Sequence, residues 1–374
     1  MKIKSIYTLL LTTAFFLSSA VAQDIKLNSI ELPEGFSVNL YAKLKNPRQM
    51  ALGEDGTVYV GSVFSGDGQI YAVLNPERND AASEVVVIDK ELSLPSGLTY
   101  KDGDLYVGAV NIILRYNDIA NNLKSGKNPE VITDALPSDP MHSWKFIDFG
   151  PDGLLYFPVG SPCNNCIPEK DIYASILRLD VNDAKNSLEH FAHGVRLSVG
   201  FDWDTTTGGL WFTDNGADGF GVDLPHEELN YAPKEGMHFG FPYFHQGDIT
   251  DAENAKGKVV NDYTPPAQKL EPHAAALGMT FYKGDMFPVK FKDQIIIAEH
   301  GSTTANSQGI LPGHKLSLVT IENGKTTSYE PFMTGWVVGG VPWGRPADIL
   351  ELDDGSLLVA DDKANAIYRI SYAE

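Results

Sequence analysis

Cysteine is nearly absent from this chain, and positive charge is scarce. Only two cysteines occur in 374 residues, and 29 Lys and Arg face 49 Asp and Glu, for a net charge of −20. That balance argues against nucleic acid and anionic lipid as partners, because both demand a basic footprint. Beyond the N-terminal stretch no apolar run is long enough to cross a bilayer, which argues against stable membrane insertion. Several chemistries are missing as well. There is no G-x-S-x-G elbow and no P-loop. The phrase HEELN at His226 opens like a zinc-protease helix but ends on Asn230, where the second histidine is required. The acidic run at Asp214 has Gly216 at the third and Pro225 at the twelfth position of a calcium loop, so it is no EF-hand.

What is present begins with MKIKSIYTLLLTTAFFLSSAVAQ. Lys2 and Lys4 precede an apolar stretch that closes on Ala20-Val21-Ala22, the form of a secretory signal peptide cut after Ala22. We therefore expect residues 1–22 to direct export, to a periplasm or beyond, and residues 23–374 to form a single domain, since no Ser- or Pro-rich linker follows. The acidity then serves solubility. In an exported chain two cysteines pair. Cys163 and Cys166 form Cys-Asn-Asn-Cys followed by Ile167, where covalent haem would need histidine. A structural disulfide pinning a loop is expected. The alternative is a redox-active pair, but such pairs normally open a helix, whereas this one follows a strand pattern.

One phrase recurs along the chain, a polar turn with Asp-Gly or Gly-Gly followed by an alternating apolar strand. It reads EDGTVYVGS from Glu54, KDGDLYVGA from Lys101, PDGLLYFPVGS from Pro151, TGGLWFTDN from Thr207 and DDGSLLVADD from Asp353. KDQIIIAEHGS from Lys292 is a copy without the glycine, and a long insert runs from about Ala217 to Pro272. Asp-Gly supplies the positive φ of a tight hairpin, and the alternation after it marks a strand. Six copies roughly 50 residues apart predict an all-β fold, a six-bladed β-propeller of four-stranded antiparallel blades.

Four polar residues stand at comparable strand ends: His142, Arg196, His300 and Arg345. Arg196, in HGVRLSVGFDWD, sits among small and apolar residues, where an unmatched guanidinium is costly, so an anion should meet it. Propeller geometry can bring all four to one mouth of the central channel. The stretch FTDNGADGFGVDLPHEELN is acidic and glycine-rich, a composition that suits a hard cation such as Ca²⁺.

These phrases carry a likeness. GPDGLLYFPVGSPCNNC, LWFTDNGADGFG, DLPHEELN, AEHGS and GRPADILELDDGSLLVADDKANAIYRI resemble the glucose/sorbosone dehydrogenase family, propeller quinoproteins that use pyrroloquinoline quinone (PQQ), and most of all its sorbosone dehydrogenase-like branch. The resemblance implies His142 as general base and Arg196 beside the reactive quinone carbonyl. It implies Gly216 and Ala217 as backbone ligands of the cofactor's Ca²⁺, with Glu227 and Glu228 near a further calcium. His300 falls where some relatives have a cofactor-binding lysine, Arg345 where a cofactor-contacting arginine lies, and Ser96 where some have a glutamine. The chain departs from the pattern at Leu197, where asparagine is usual, and at Met141, where aspartate is common. The implied reaction oxidises an aldose to a lactone, or a sugar-derived aldehyde such as sorbosone to an acid, with electrons passing on to an unidentified acceptor. Two other readings remain: a calcium-dependent lactonase, and a propeller that binds sugar or protein without cofactor.

Overall fold

A computed structural model describes residues 25–63, 68–123 and 128–373; the expected signal peptide lies outside them. Six sheets, each built on four antiparallel strands, form a six-bladed β-propeller. Blade 1 runs through Pro47–Leu52, Val58–Ser62, Gly68–Leu74 and Glu84–Leu92, from the channel outward. Blade 2 takes Gly97–Lys101 to Glu130–Thr133, and blade 3 takes Asp148–Phe149 to Glu189–His193. Blade 4 is built from Phe201–Trp203, Leu210–Asp214, His226–Ala232 and Gln268–Pro272, and blade 5 from Ala276–Phe281 to Lys325–Met333. Blade 6 combines Pro346–Glu351, Leu357–Asp361 and Ala366–Tyr372 with the N-terminal strand Phe36–Lys43 on its outer edge. The two ends of the chain thus share one sheet, which closes the ring without leaving that edge unpaired.

The repeated phrase marks the turn between the first and second strands of every blade. Its glycines take the left-handed conformation, as at Gly56 (φ 82°) and Gly355 (φ 81°). In the copy lacking glycine Asp293 takes that conformation itself (φ 59°), which aspartate tolerates better than other side chains. The aspartate of the turn caps the backbone two residues on, from Asp55 to Thr57 N at 2.9 Å and from Asp354 to Ser356 N at 3.0 Å.

The core is distributed between blades. Six apolar clusters each straddle two neighbouring blades, such as Trp211 and Leu229 against Ile295 and Ile297, or Val58 and Val60 against Leu358 and Ala360. Second strands such as Ile295–Glu299 are therefore buried throughout, which explains their unbroken apolar runs. Polar ties lock the inner strands around the channel. Gln49 accepts from Leu98 N (3.0 Å) and Ile147 N (2.9 Å), and Asp348 accepts from Met50 N (2.7 Å). The long insert lies within blade 4, and its segment Met237–His238 adds a parallel fifth strand to blade 3, a departure from the four-stranded expectation.

Candidate active site

The glycine turns occupy one mouth of the channel; first strands start, and second strands end, at the other. There His142, Arg196 and Arg345 line one cavity of about 460 Å³ with Trp144, Leu197, Gly216 and Glu227, a size typical of small-molecule sites.

His142 is held in the left-handed region (φ 52°), a strained backbone that clusters at functional sites. Gly160 makes this possible, because a Cβ there would come within 2.6 Å of the His142 carbonyl oxygen. Nδ1 of His142 lies 2.8 Å from the Ser161 carbonyl. A carbonyl only accepts, so Nδ1 carries the hydrogen and Nε2 keeps its lone pair. Burial, with the nearby Arg196 guanidinium, lowers the imidazole pKa to about 4. His142 is thus neutral, with one basic nitrogen.

Arg196 is buried, and its guanidinium meets neutral oxygens. Nε donates to Asn164 O (2.8 Å), Nη2 to Asn164 Oδ1 (2.9 Å) and Nη1 to Asn215 O (3.1 Å). A guanidinium has five hydrogens, so one remains on each terminal nitrogen for a ligand. Burial lowers its pKa, and Asp214, Glu227 and Asp218 work against that. Arg345 donates Nε to His300 O (3.0 Å) and Nη2 to Gly301 O, which leaves the Nη1 hydrogens available. Among the described residues the buried Trp144 Nε1 has no hydrogen-bond partner. The mouth therefore offers hydrogen-bond donors to an anionic ligand.

The structure does not bring every expected residue there. The His300 side chain donates Nε2 to Asp362 (2.8 and 3.0 Å), and only its carbonyl serves the site, through Arg345. Burial lowers the His300 pKa to about 4. Burial opposes the charge of Asp362, but His300 and Arg48 outweigh it and hold that carboxyl below its usual range. Ser96 is buried away from the cavity: its hydroxyl donates to Lys145 O (3.0 Å) and accepts from Lys145 N (2.9 Å). It ties the entrance of blade 2 to that of blade 3 and has no free donor for a ligand. Glu227 and Glu228 are consecutive on a strand and so face opposite ways. Glu227 lines the cavity and accepts from Gly216 N (2.7 Å) and Ala275 N (3.2 Å). Glu228 lines a smaller cavity behind Arg196 with Asp214 and Ala217. Burial raises both glutamates to about 8 and Asp214 to about 7, three crowded acids against one buried arginine. Among the described residues no hydrogen bond ends on the carbonyl oxygens of Gly216 or Ala217.

Asn164 and Trp144 escaped the sequence reading. Asn164 lies between the two cysteines, and nothing near it in the chain marks its partner Arg196, 32 residues on. The structure confirms the Cys163–Cys166 bond and shows what its loop does: it holds Arg196.

The fold is a closed six-bladed propeller with His142, Arg196 and Arg345 gathered in one cavity at its mouth. The chain matches the sequence model described as Glucose / Sorbosone dehydrogenase over residues 98–368, and it belongs to that family. An uncharacterized protein of Borreliella burgdorferi is 32% identical over 98% of this chain and 97% of its own. The calcium structure of the Trichoderma reesei Carbohydrate-Active Enzymes Family AA12 protein superposes with a TM-score of 0.79 at 17% identity, covering 95% of this chain and 100% of that one. The holo form of the PQQ domain of Coprinopsis cinerea pyranose dehydrogenase gives 0.75 at 18% identity, over 91% and 97%. At such identities these two share the fold.

Proposed function

We propose that this protein is a PQQ-dependent dehydrogenase that oxidises an aldose to its lactone, or a hydrated sugar aldehyde of the sorbosone type to its acid. The observation that carries the reading is His142, a neutral imidazole with its tautomer fixed by Ser161, in one cavity with two arginines that keep spare hydrogens. Family membership and a PQQ-holding structural neighbour support it.

The residues present fit the cofactor. PQQ is a tricarboxylate, and Arg196 and Arg345 would supply donors for its anionic oxygens. The Gly216 and Ala217 carbonyls, with the excess of buried acid behind them, suit a hard cation such as Ca²⁺. When bound, the quinone would accept the substrate's hydride and Ca²⁺ would act as Lewis acid. Nε2 of His142 takes the proton of the substrate hydroxyl, and Nδ1 keeps its bond to Ser161 as the ring becomes cationic. The low pKa of His142 keeps it ready to accept at neutral pH and returns the proton to solvent readily. Arg196, fixed by Asn164, contributes positive charge where oxygen charge develops.

A calcium-dependent lactonase would need carboxylates and asparagines free to ligate a metal in the channel. Asn164 Oδ1 is engaged with Arg196, and both Glu227 oxygens accept backbone hydrogens. The dehydrogenase reading is therefore preferred. We also infer export by residues 1–22, in keeping with a disulfide that an oxidising compartment preserves. Among the described residues no helix is long and apolar enough to cross a membrane. Titration with PQQ and Ca²⁺, followed by the absorption change on adding aldoses or aldehydes, tests the reading. No spectral change on titration would refute it.

A further inference from the structure

A second cluster of ligating side chains lies on the outer edge of blade 3, away from the mouth. His190 and His193 belong to the strand Glu189–His193, three positions apart, where strict alternation would turn them to opposite faces. The register against Ser175–Leu179 slips at Phe191: His193 pairs with Ser175, Ala192 with Ile176, and His190 with Leu177. A bulge of this kind re-aims side chains, and here it brings the two imidazoles together, stacked at 4.7 Å with planes 17° apart. Asp171, in the loop after the disulfide, places Oδ2 at 3.9 Å from His190 Nε2. One ligating atom from each of the three residues lies within 4.8 Å of the others. His238, brought in by the insert, stacks on His193 at 6.3 Å. Gly194 lets it approach, since a Cβ there would sit 2.3 Å from the His238 ring.

We propose that Asp171, His190 and His193 form a binding site for one divalent transition-metal ion of the Zn²⁺ class. Two imidazole nitrogens and one carboxylate select a borderline metal over Ca²⁺ or Mg²⁺, which prefer oxygen throughout. Three protein ligands leave one tetrahedral position over, and Asp171 and His193 both line a cavity of about 360 Å³ toward which a fourth ligand can point. Zn–N bonds of about 2.0–2.1 Å set tetrahedral ligand atoms roughly 3.4 Å apart, so the cluster must tighten by about an ångström. Asp171 can supply that movement, because its side chain is 86% exposed. His190 exchanges its bond to the Asp171 carbonyl (3.0 Å) for the metal. The site shares no side chain with the proposed PQQ cavity, so it stands whether or not that reading does.

The test uses tag-free protein, stripped with chelator and free of PQQ, titrated with ZnCl₂ by calorimetry. We expect one Zn²⁺ per chain, not displaced by millimolar Ca²⁺, and affinity lowered roughly 10-fold or more in His190→Gln and His193→Gln. Co²⁺ added to the unsubstituted protein should give visible bands of a low-symmetry site, a readout that needs no variant. A chain that binds no Zn²⁺, or whose His190→Gln/His193→Gln double variant binds as tightly as the parent, would overturn the proposal.

Discussion

Asn164 receives Arg196 twice, with Nε on its carbonyl at 2.8 Å and Nη2 on its side-chain oxygen at 2.9 Å. The same side chain reaches across to Asp218, accepting from its N–H (2.9 Å) and donating to its carbonyl (2.8 Å). A residue enclosed by the Cys163–Cys166 disulfide therefore orients the principal cation of the mouth. The loop is more than a staple.

Removing that grip should show in catalysis. Asn164→Ala deletes a hydrogen bond to a charged group, worth about 1.5–3 kcal/mol, so kcat/KM should fall by roughly 10- to 100-fold with little loss of melting temperature. Cys163→Ser with Cys166→Ser should lower turnover as well as stability. Thiol titration of the native protein should find no free cysteine. Unchanged kinetics in both variants would reduce the loop to a structural role.

His142→Ala should slow cofactor reduction by roughly 10²–10⁴-fold while leaving PQQ affinity nearly unchanged, since the arginines remain. The pH profile gives an independent check. With the imidazole pKa at about 4, the base form is present at neutral pH and is lost only as pH falls through that value. The acid limb of the rate should therefore lie well below the ordinary histidine range, and stopped-flow rates across pH would reveal it.

Leu197 packs with Val199, Leu277 and Ala347, against Trp144. Leu197→Asn should cost roughly 1–3 kcal/mol of stability by setting an amide among apolar groups. In return it should tighten PQQ binding, because the amide adds a polar contact beside Arg196. Calorimetric titration of PQQ and thermal melts of the same variant separate the two effects.

Chelation tests the cation. Extraction with EDTA should abolish PQQ-dependent turnover, and Ca²⁺ should restore it better than Mg²⁺, which demands a tighter octahedron. Full activity in the stripped protein would leave the Gly216 and Ala217 carbonyls without that role.

Asp348 ties blade 6 to blade 1 through Met50 N, while among the described residues its buried Oδ1 has no partner. Burial raises its pKa to about 8. A raised carboxyl adds stability when protonated, and that contribution is lost as pH rises from about 4 toward 8. Asp348→Asn keeps an acceptor for Met50 and carries no charge, so its melting temperature should fall less than the parent's over that interval. Identical pH dependence of the two would contradict the assignment.

The six copies of the turn-and-strand phrase made the propeller legible, because hairpin turns and alternating strands are dictated by residues close together in the chain. His142, Arg196 and Arg345 were legible for the same reason: each is a polar group at the end of a strand in a repeat whose geometry is radial. Other features depended on contacts between distant segments. Nothing local says that His300 turns to Asp362, 62 residues on, or that the Ser96 hydroxyl is engaged 49 residues away by Lys145. Alternation along one strand sends Glu227 to the cavity and Glu228 behind it, but which side is the cavity depends on the neighbouring blade. The sequence by itself determined the ring of blades and the mouth where His142, Arg196 and Arg345 come together. The tertiary structure decided which side chains have hydrogens to spare there, because a donor is free only when no other part of the chain has taken it.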